Sequence, residues 1–470
     1  MPYQVPQHID PNKVFLVNLS ELEGRFDPKM SLYNKRTQEF AYPKVKLKTL
    51  LLSKPQYGAN EPGILRTQKE QARYIRITDI DENGLISNKE LGATVESFDE
   101  KYILHENDIV FARSGATAGK TYIHKNLPYE CIFAGYLIRF VVNPQIVLPD
   151  YVFIFTQLNI YKEWVNAIQR PSAQPNINAE EYQALEIPLP DLCKQNEIVE
   201  YIHNAYAQKR QKEQQAEALL QSIDDYLLGE LGIQLPEMKS PTLQDRMFVV
   251  NFSEANGERL DPMFYTSQFS NIVAKLHDST ECKRLGQIVH FSTEIWNQKD
   301  YYEKEFPYIE IGAINIPHGK IEDVSFIPVE QAPSRARVIV RTGDIIISTT
   351  RPDRGAIIKI TENENLYIAS TGFSVIRNVD NNINPDYLLA ILRHRLILMQ
   401  MRQRSTGGNY PAITQEELSK IIIPILPLSK QQEIVDHISA IRKQAKALQE
   451  EGKAILEQAK KEVEQMILGN

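Results

Sequence analysis

Apolar and polar positions change rhythm twice along the chain. Through residues 1–190, and again through 233–426, apolar residues come in short runs broken by Gly, Pro and Asn: YIRITDI, DIVFAR and YLIRFVV in the first stretch, DIIIST and FSVIR in the second. Such runs predict strands. Short helical pieces intervene, PDYVFIFTQLNIYKEWV and PDYLLAILRHRLILMQM, so each stretch reads as an α+β globule. PLPDL and PILPL then close each one, because proline cannot continue a central strand and restricts the residue before it.

After the prolines the rhythm becomes helical. Ile198, Ile202, Ala205, Ala216, Leu219 and Ile223 fall on three- and four-residue steps, with Lys209 and Lys212 interrupting the seam. Ile434, Ile438, Ile441, Ala445, Leu448 and Ile455 occupy the matching places later. The spacing predicts long helices within 191–232 and 427–470, each of roughly 35 residues and about 50 Å, the second about one turn longer. Gly229 and Gly469 are the expected left-handed C-caps. Helices of this length overreach a small globule, so the two stripes are expected to pack on each other as an antiparallel coiled coil. Gly229 to Asp245, rich in Gly and Pro, reads as the linker into the second half.

The two halves are copies. Tyr74–Ile86 returns at Tyr308–Ile321, and Arg25, Asp27 and Pro28 return as Arg259, Asp261 and Pro262, both 234 residues on. Asn107, Asp108 and Ile109 answer to Gly343, Asp344 and Ile345 at an offset of 236, and Pro149-Asp150-Tyr151 to Pro385-Asp386-Tyr387. KQNEIVEYI, Lys194–Ile202, returns as KQQEIVDHI, Lys430–Ile438. Solenoid units run to about 20 to 50 residues, so a period this long is a duplicated domain.

Composition narrows the function. A chain of 470 residues with 42% hydrophobic content supports two or more cores. Cys131, Cys193 and Cys282 are scattered, without metal-ligand spacing, which points to a reducing compartment and no metal site. No signal-peptide pattern and no apolar run of membrane length is present, so a cytoplasmic protein without membrane contact is expected. The net charge of −7 excludes coating of nucleic acid by bulk electrostatics. Any DNA contact must be local, which a handful of Lys and Arg on one face can supply.

IPLPDLCKQNEIV, Ile187–Val199, and IPILPLSKQQEIV, Ile423–Val435, together with the DI-aliphatic run into RSG…GK at Asp108–Lys120, make the whole chain resemble the specificity subunit of type I restriction-modification systems. Lysine replaces the family's usual glutamate before Gln195 and Gln431, and STTRPDRG, Ser348–Gly355, keeps only the glycine and nearby arginines of the second motif. The resemblance implies two tandem pseudo-symmetric target-recognition domains, residues 1–190 and 233–426, separated by the two long helices. It implies a non-catalytic protein without a cofactor, each domain reading half of a bipartite, asymmetric site in double-stranded DNA. The helices would set the spacing and dock two methyltransferase (modification) subunits, with motor-nuclease (restriction) subunits completing the complex. A fused restriction-modification enzyme and a coiled-coil scaffold that binds no DNA are the alternatives.

The enzyme alternative lacks its motifs. An adenine methyltransferase needs an NPPY-like tetrad to grip the flipped base and a Gly-rich cofactor loop. Asn143-Pro144-Gln145 and Asn384-Pro385-Asp386 lack the second proline. SGATAGKT, Ser114–Thr121, imitates a phosphate loop, but three residues separate Gly115 from Gly119 where the cradle needs four.

Base reading calls for Arg, Asn or Gln, and phosphate grip for Lys, Arg, Ser or Thr. Loops rich in both are the candidates. In the first domain they are Arg113, Ser114, Thr117 and Lys120, with Arg170, Ser172 and Gln174 in the segment Gln169–Asn176. In the second they are Arg335 and Arg337, Arg351 and Arg354, then Arg402, Arg404 and Asn409. Ile198, Ile202, Leu219, Ile223, Ile434, Ile438, Ile441, Leu448 and Ile455 are the expected helix-pairing and docking residues.

Overall fold

The computed structural model describes residues 28–37, 40–81, 83–86, 92–115, 117–169, 175–233, 262–265, 267–300, 304–317, 319–322 and 324–469, with Val14, Leu16, Val17, Val249 and Asn251 besides. Most of the predicted linker, 234–248, lies outside these residues. The chain forms two compact units, one of residues 1–213 and 449–470, the other of residues 214–448.

Among the described residues each unit holds two four-stranded sheets. In the first unit one sheet runs Gln56–Tyr57, Leu137–Phe140, Ile109–Ala112, Thr121–Ile123; the other runs Ile64–Leu65, Ala93–Thr94, Arg73–Ile75, Cys131–Phe133. The second unit repeats the first order with Val289–Phe291, Phe373–Val379, Ile345–Ser348 and Ile357–Lys359. Its other sheet runs Ser325–Pro328, Glu305–Ile309, Ile368–Ser370, Ala336–Ile339. One parallel pair recurs, Tyr74 beside Ile132 and Tyr308 beside Ile368. Ile109–Ala112 and Ile345–Ser348 are buried along their whole length, which is why they read as unbroken apolar runs.

The helical pieces before the prolines each split in two, Pro149–Phe155 with Asn159–Ile168 and Pro385–Arg393 with Arg395–Arg404. The proline segments are strands of two-stranded ribbons: Glu186–Pro188 on Lys44–Lys46, and Ile422–Ile425 on Glu281–Arg284. A ribbon strand has a partner on one side only, so Pro188 and Pro424 are accommodated where a central strand would reject them.

The long helices run Leu192–Leu231 and Leu428–Leu468, 40 and 41 residues. They therefore exceed the expected length, reaching about 60 Å at ~1.5 Å per residue, and differ by one residue rather than a turn. Gly229 is an exposed residue inside the first helix, and Gly232, at φ +65°, takes the left-handed position instead. Gly469, at φ +80°, does so in the second.

Within each unit the helices run antiparallel. Lys212 meets Glu451 at 2.7 Å and Tyr201 bonds Glu462 in the first unit. Glu230 meets Lys430 at 2.7 Å in the second, where the Tyr226 ring lies tilted against His437 with centroids 4.1 Å apart. At Gly452 the backbones close in, since an added Cβ would lie 3.3 Å from the Lys209 carbonyl oxygen. Lys209 thus interrupts the apolar seam where a glycine opposite it allows the close approach.

Two buried devices recur in both copies. Gln195 and Gln431 are fully buried. The Gln195 carboxamide accepts from the Leu148 N–H at 2.8 Å and donates to Pro190 at 2.9 Å. That of Gln431 accepts from Asn384 at 2.7 Å and donates to Leu426 at 2.8 Å and Asn382 at 3.1 Å. The glutamine of each junction motif thus ties the start of a long helix to the loop before the Pro-Asp-Tyr helix. The tyrosine adds a second tie, Tyr151 to the Pro188 carbonyl at 2.7 Å and Tyr387 to that of Pro424 at 3.0 Å.

Candidate nucleic-acid interface

The repeated Asp-Ile motif anchors the start of its strand. Asp108 accepts from Arg139 at 3.3 Å, and Asp344 from Arg377 at 2.9 Å. In the second unit Glu294 joins, bonding Arg377 and meeting Arg341 at 2.6 Å. The Arg341 hydrogen bonds come first in holding the Glu294 carboxyl down at about 2, with Arg377 assisting against the opposing effect of desolvation.

Beyond this anchored strand each unit closes two loops onto each other. In the first, Ser114 bridges Asn176, the Gly115 N–H donates to the Pro175 carbonyl at 3.0 Å, and that of Ile177 to Arg113 at 2.8 Å. In the second, Thr350 bridges Ala412, the Arg351 N–H donates to Pro411 at 2.7 Å, and that of Ile413 to Thr349 at 2.9 Å. Every partner is displaced by the same 236 positions, as Ser114 is from Thr350 and Asn176 from Ala412. Loops nominated separately from the sequence form one platform in each unit.

The platforms share a backbone and differ in side chains. In the first, the Arg113 guanidinium lies over Tyr57 at 5.1 Å and reaches Asn176 Oδ1 at 3.5 Å. The Tyr136 carbonyl accepts from the Arg113 N–H at 2.9 Å, and its ring is 64% exposed. Thr117 is exposed and Ser114 half-buried. In the second, Arg351 donates to the Asn409 carbonyl at 2.7 Å and lies over the exposed Tyr410 ring at 4.3 Å.

Arg351 sits at φ +49°, the left-handed region, where its counterpart Gly115 sits at +79°. That conformation suits glycine and burdens arginine. Exposed Arg402 stands 3.8 Å from Asp353, and Arg354 and Asn409 are exposed as well. Arg335 and Arg337 are also exposed. The Arg335 carbonyl accepts from Thr371, next to Gly372, whose own carbonyl accepts from Thr349 in the turn.

Two expected contacts are committed elsewhere. Lys120 does not project outward; its ammonium donates to the Ile80 carbonyl. Arg404 is only 13% exposed, pairs with Glu417 at 2.9 Å and lies over Phe264 at 5.2 Å, so it braces the loop rather than facing outward. Arg170, Ser172 and Gln174 lie outside the described residues. The phosphate-loop imitation is closed off as well. The Gly119 N–H donates to the Tyr182 hydroxyl at 3.0 Å, and the Gly119 carbonyl accepts from Tyr161 at 2.8 Å.

Of the helix residues, Ile198, Ile202, Ile434, Ile438 and Ile441 are buried, while Leu219, Ile223, Leu448 and Ile455 are half-buried. The sequence reading missed Leu227, Leu231, Leu456, Ala459, Val463 and Ile467, all buried, because it stopped the stripe short. It also missed Tyr57, Tyr136 and Tyr410. The available signal was an aromatic beside Gly or Asn in a polar loop, as in GYL and GGNYP. Among the described residues there is no group of three or more His, Cys, Asp or Glu able to hold a metal ion, and no helix long and apolar enough to cross a membrane.

Comparison with known proteins gives a consistent result. Residues 61–221 and 278–458 match the family described as type I restriction modification DNA specificity domain. The MjaVIII type I restriction enzyme specificity subunit of Methanocaldococcus jannaschii is 20% identical over 357 residues, covering 74% of this chain and 75% of that protein. The HindI specificity subunit of Haemophilus influenzae is 29% identical over 115 residues, 24% of this chain and 25% of that protein. Among solved structures, the type I S subunit from M. genitalium aligns with a TM-score of 0.40 at 13% identity, covering 91% of this chain and 96% of that one.

Proposed function

The chain belongs to the type I restriction-modification DNA specificity family, and from that premise we propose that each unit reads one half of a bipartite, asymmetric site in double-stranded DNA. The observation that carries this reading is the duplicated platform. One set of backbone bonds recurs at a fixed offset in both units, whereas the residues it displays differ: Gly115 against Arg351, Asn176 against Ala412, Tyr136 against Gly372. A conserved frame with exchanged side chains suits two readers of different half-sites. Arg113 and Arg351, each stacked on a tyrosine, are the central contacts. Arg335, Arg337, Arg354, Arg402, Ser114, Thr117 and Asn409 support them.

In this reading the protein itself is not catalytic and works in the cytoplasm. The long helices set the separation of the half-sites and dock two methyltransferase subunits, and motor-nuclease subunits join in restriction. Continuous helices of 40 and 41 residues, joined to their globules through Gln195 and Gln431, favour this role.

Selection of bound duplexes from a random pool, with the chain alone and with a candidate methyltransferase, tests the proposal. A split motif with a fixed spacer is expected with the partner present. Deleting four residues, about one turn, from both helices should shorten the spacer. Methylation by the chain alone, or a spacer indifferent to the deletion, refutes the reading.

A further inference from the structure

The second unit contains a cavity of about 310 Å³ beside its platform. Its walls come from the first long helix (Glu217 to Asp224), Arg442 of the second, Arg393 and Leu398 of the paired shorter helices, Ile316-Pro317, and Arg354-Gly355 of the turn that carries Arg351. Three arginines therefore face one space.

Two of them are half-buried. Among the described residues Arg393 donates to the carbonyls of Ile316 and Pro317 and meets no carboxylate within ion-pair distance. Arg442 makes no ion pair or hydrogen bond among the described residues. Burial, with Arg442 adding to it, pushes the Arg393 guanidinium down to about 10, and burial also lowers Arg442 against the opposing pull of Asp386. A guanidinium keeps its proton at neutral pH, so two like charges share the cavity. Two acids also line it, but exposed Glu217 reaches neither arginine within ion-pair distance, and Asp224 leans on His394 at 3.6 Å. Ile223, Leu220, Ile316, Pro317 and Leu398 supply an apolar wall.

The duplicated frame makes the arginines meaningful. At the matching positions the first unit has Tyr206 for Arg442, Gln157 for Arg393, Ala118 for Arg354 and Lys460 for Asp224. Helix pairing does not demand the cluster, since the other copy pairs without it.

We propose that this cavity binds a free phosphate-bearing molecule of nucleotide size. The phosphate lies between Arg393 and Arg442, with Arg354 at the mouth. A planar group rests on the apolar wall, and hydroxyl groups donate to Glu217, Gln221 or Asp224. The volume sits at the lower end of small-ligand sites, about 300 to 1,000 Å³. A bound phosphate satisfies guanidinium donors that the protein leaves open, through charge-assisted bonds. Because the same short turn carries Arg351 and Arg354, occupancy also steadies the second platform.

Calorimetric titration of the full chain with adenosine monophosphate, inorganic phosphate and a short duplex tests this. Saturable one-to-one binding of the mononucleotide is expected at about 1 mM or below, weakened roughly tenfold or more by Arg442→Gln and by Arg354→Gln. The exposed Arg354 serves as the second variant, with thermal unfolding beside the titration expected to show it folded. Absence of saturable nucleotide binding, or binding that ignores both substitutions, overturns the proposal. So does a result in which only the duplex binds and both substitutions weaken it, which would assign the cavity to a DNA backbone phosphate.

Discussion

Replacing Arg351 by glycine separates what this side chain does for DNA from what it does for the fold. Its left-handed backbone at φ +49° costs an L-residue about 1–2 kcal/mol relative to glycine. Against that relief, the variant loses the bonds to the Asn409 carbonyl, about 1 kcal/mol at a surface. It also loses the stacking on Tyr410, about 0.5–1 kcal/mol. The opposing effects nearly cancel, so stability should shift by under about 1 kcal/mol, roughly 2–4 °C in Tm for a unit of this size. Affinity has no such compensation. A lost base contact costs about 1–3 kcal/mol, roughly 5- to 150-fold in Kd. Fluorescence anisotropy on the selected duplex at fixed salt, beside thermal unfolding, reads both quantities. A contact to a base relaxes the preference at one position, whereas a contact to phosphate lowers the salt slope by about one unit. Unchanged affinity, or a Tm loss well beyond ~5 °C, refutes the reasoning.

Three other outcomes are expected. Gln431→Leu removes the partner of the half-buried Asn384 N–H and of two carbonyls, so the second unit should lose about 1–3 kcal/mol by urea unfolding, and a loss below about 0.5 kcal/mol would deny the glutamine its structural role. Arg404→Ala should lower stability through loss of the Glu417 pair while half-site specificity is retained; a specificity change at constant stability would return Arg404 to the reading surface. Because the Glu294 carboxyl is held at about 2 rather than 4.5, its contribution is full above pH 4.5 and fades as pH falls toward 2. Glu294→Gln should therefore flatten the acid limb of the second unit's stability curve, and an unchanged limb would show that the arginine cluster does not depend on this charge.

The duplication was legible because the helix junctions repeat nearly letter for letter, and the structure gives the reason: each glutamine bonds three backbone groups at the junction. Helix length was less legible. Gly229 resembled a cap, yet its position in open solvent lets the helix run past it. The individual reading residues were least visible. Lys120 and Arg113 look alike as letters seven positions apart, and only the Ile80 carbonyl, forty positions upstream, turns one of them inward. Arg404 likewise depends on Glu417 folding back beside it. The joining of the two loops was available in principle from the constant offset, but the contact itself is made by backbone groups, which leave no mark on residue choice.

The helix pairing also fixes an order of assembly. Leu456, Ala459, Val463 and Ile467 complete the same core as Ile198, Ile202 and Ala205, although more than two hundred residues separate them. The first unit to emerge from the ribosome is thus the last able to close, and its helix waits with a bare apolar stripe while 214–448, a contiguous segment, gathers its own core. Such long-range closure is slow and exposes the nascent chain to aggregation. Removing residues 451–470 should therefore damage the globule that residues 1–213 form.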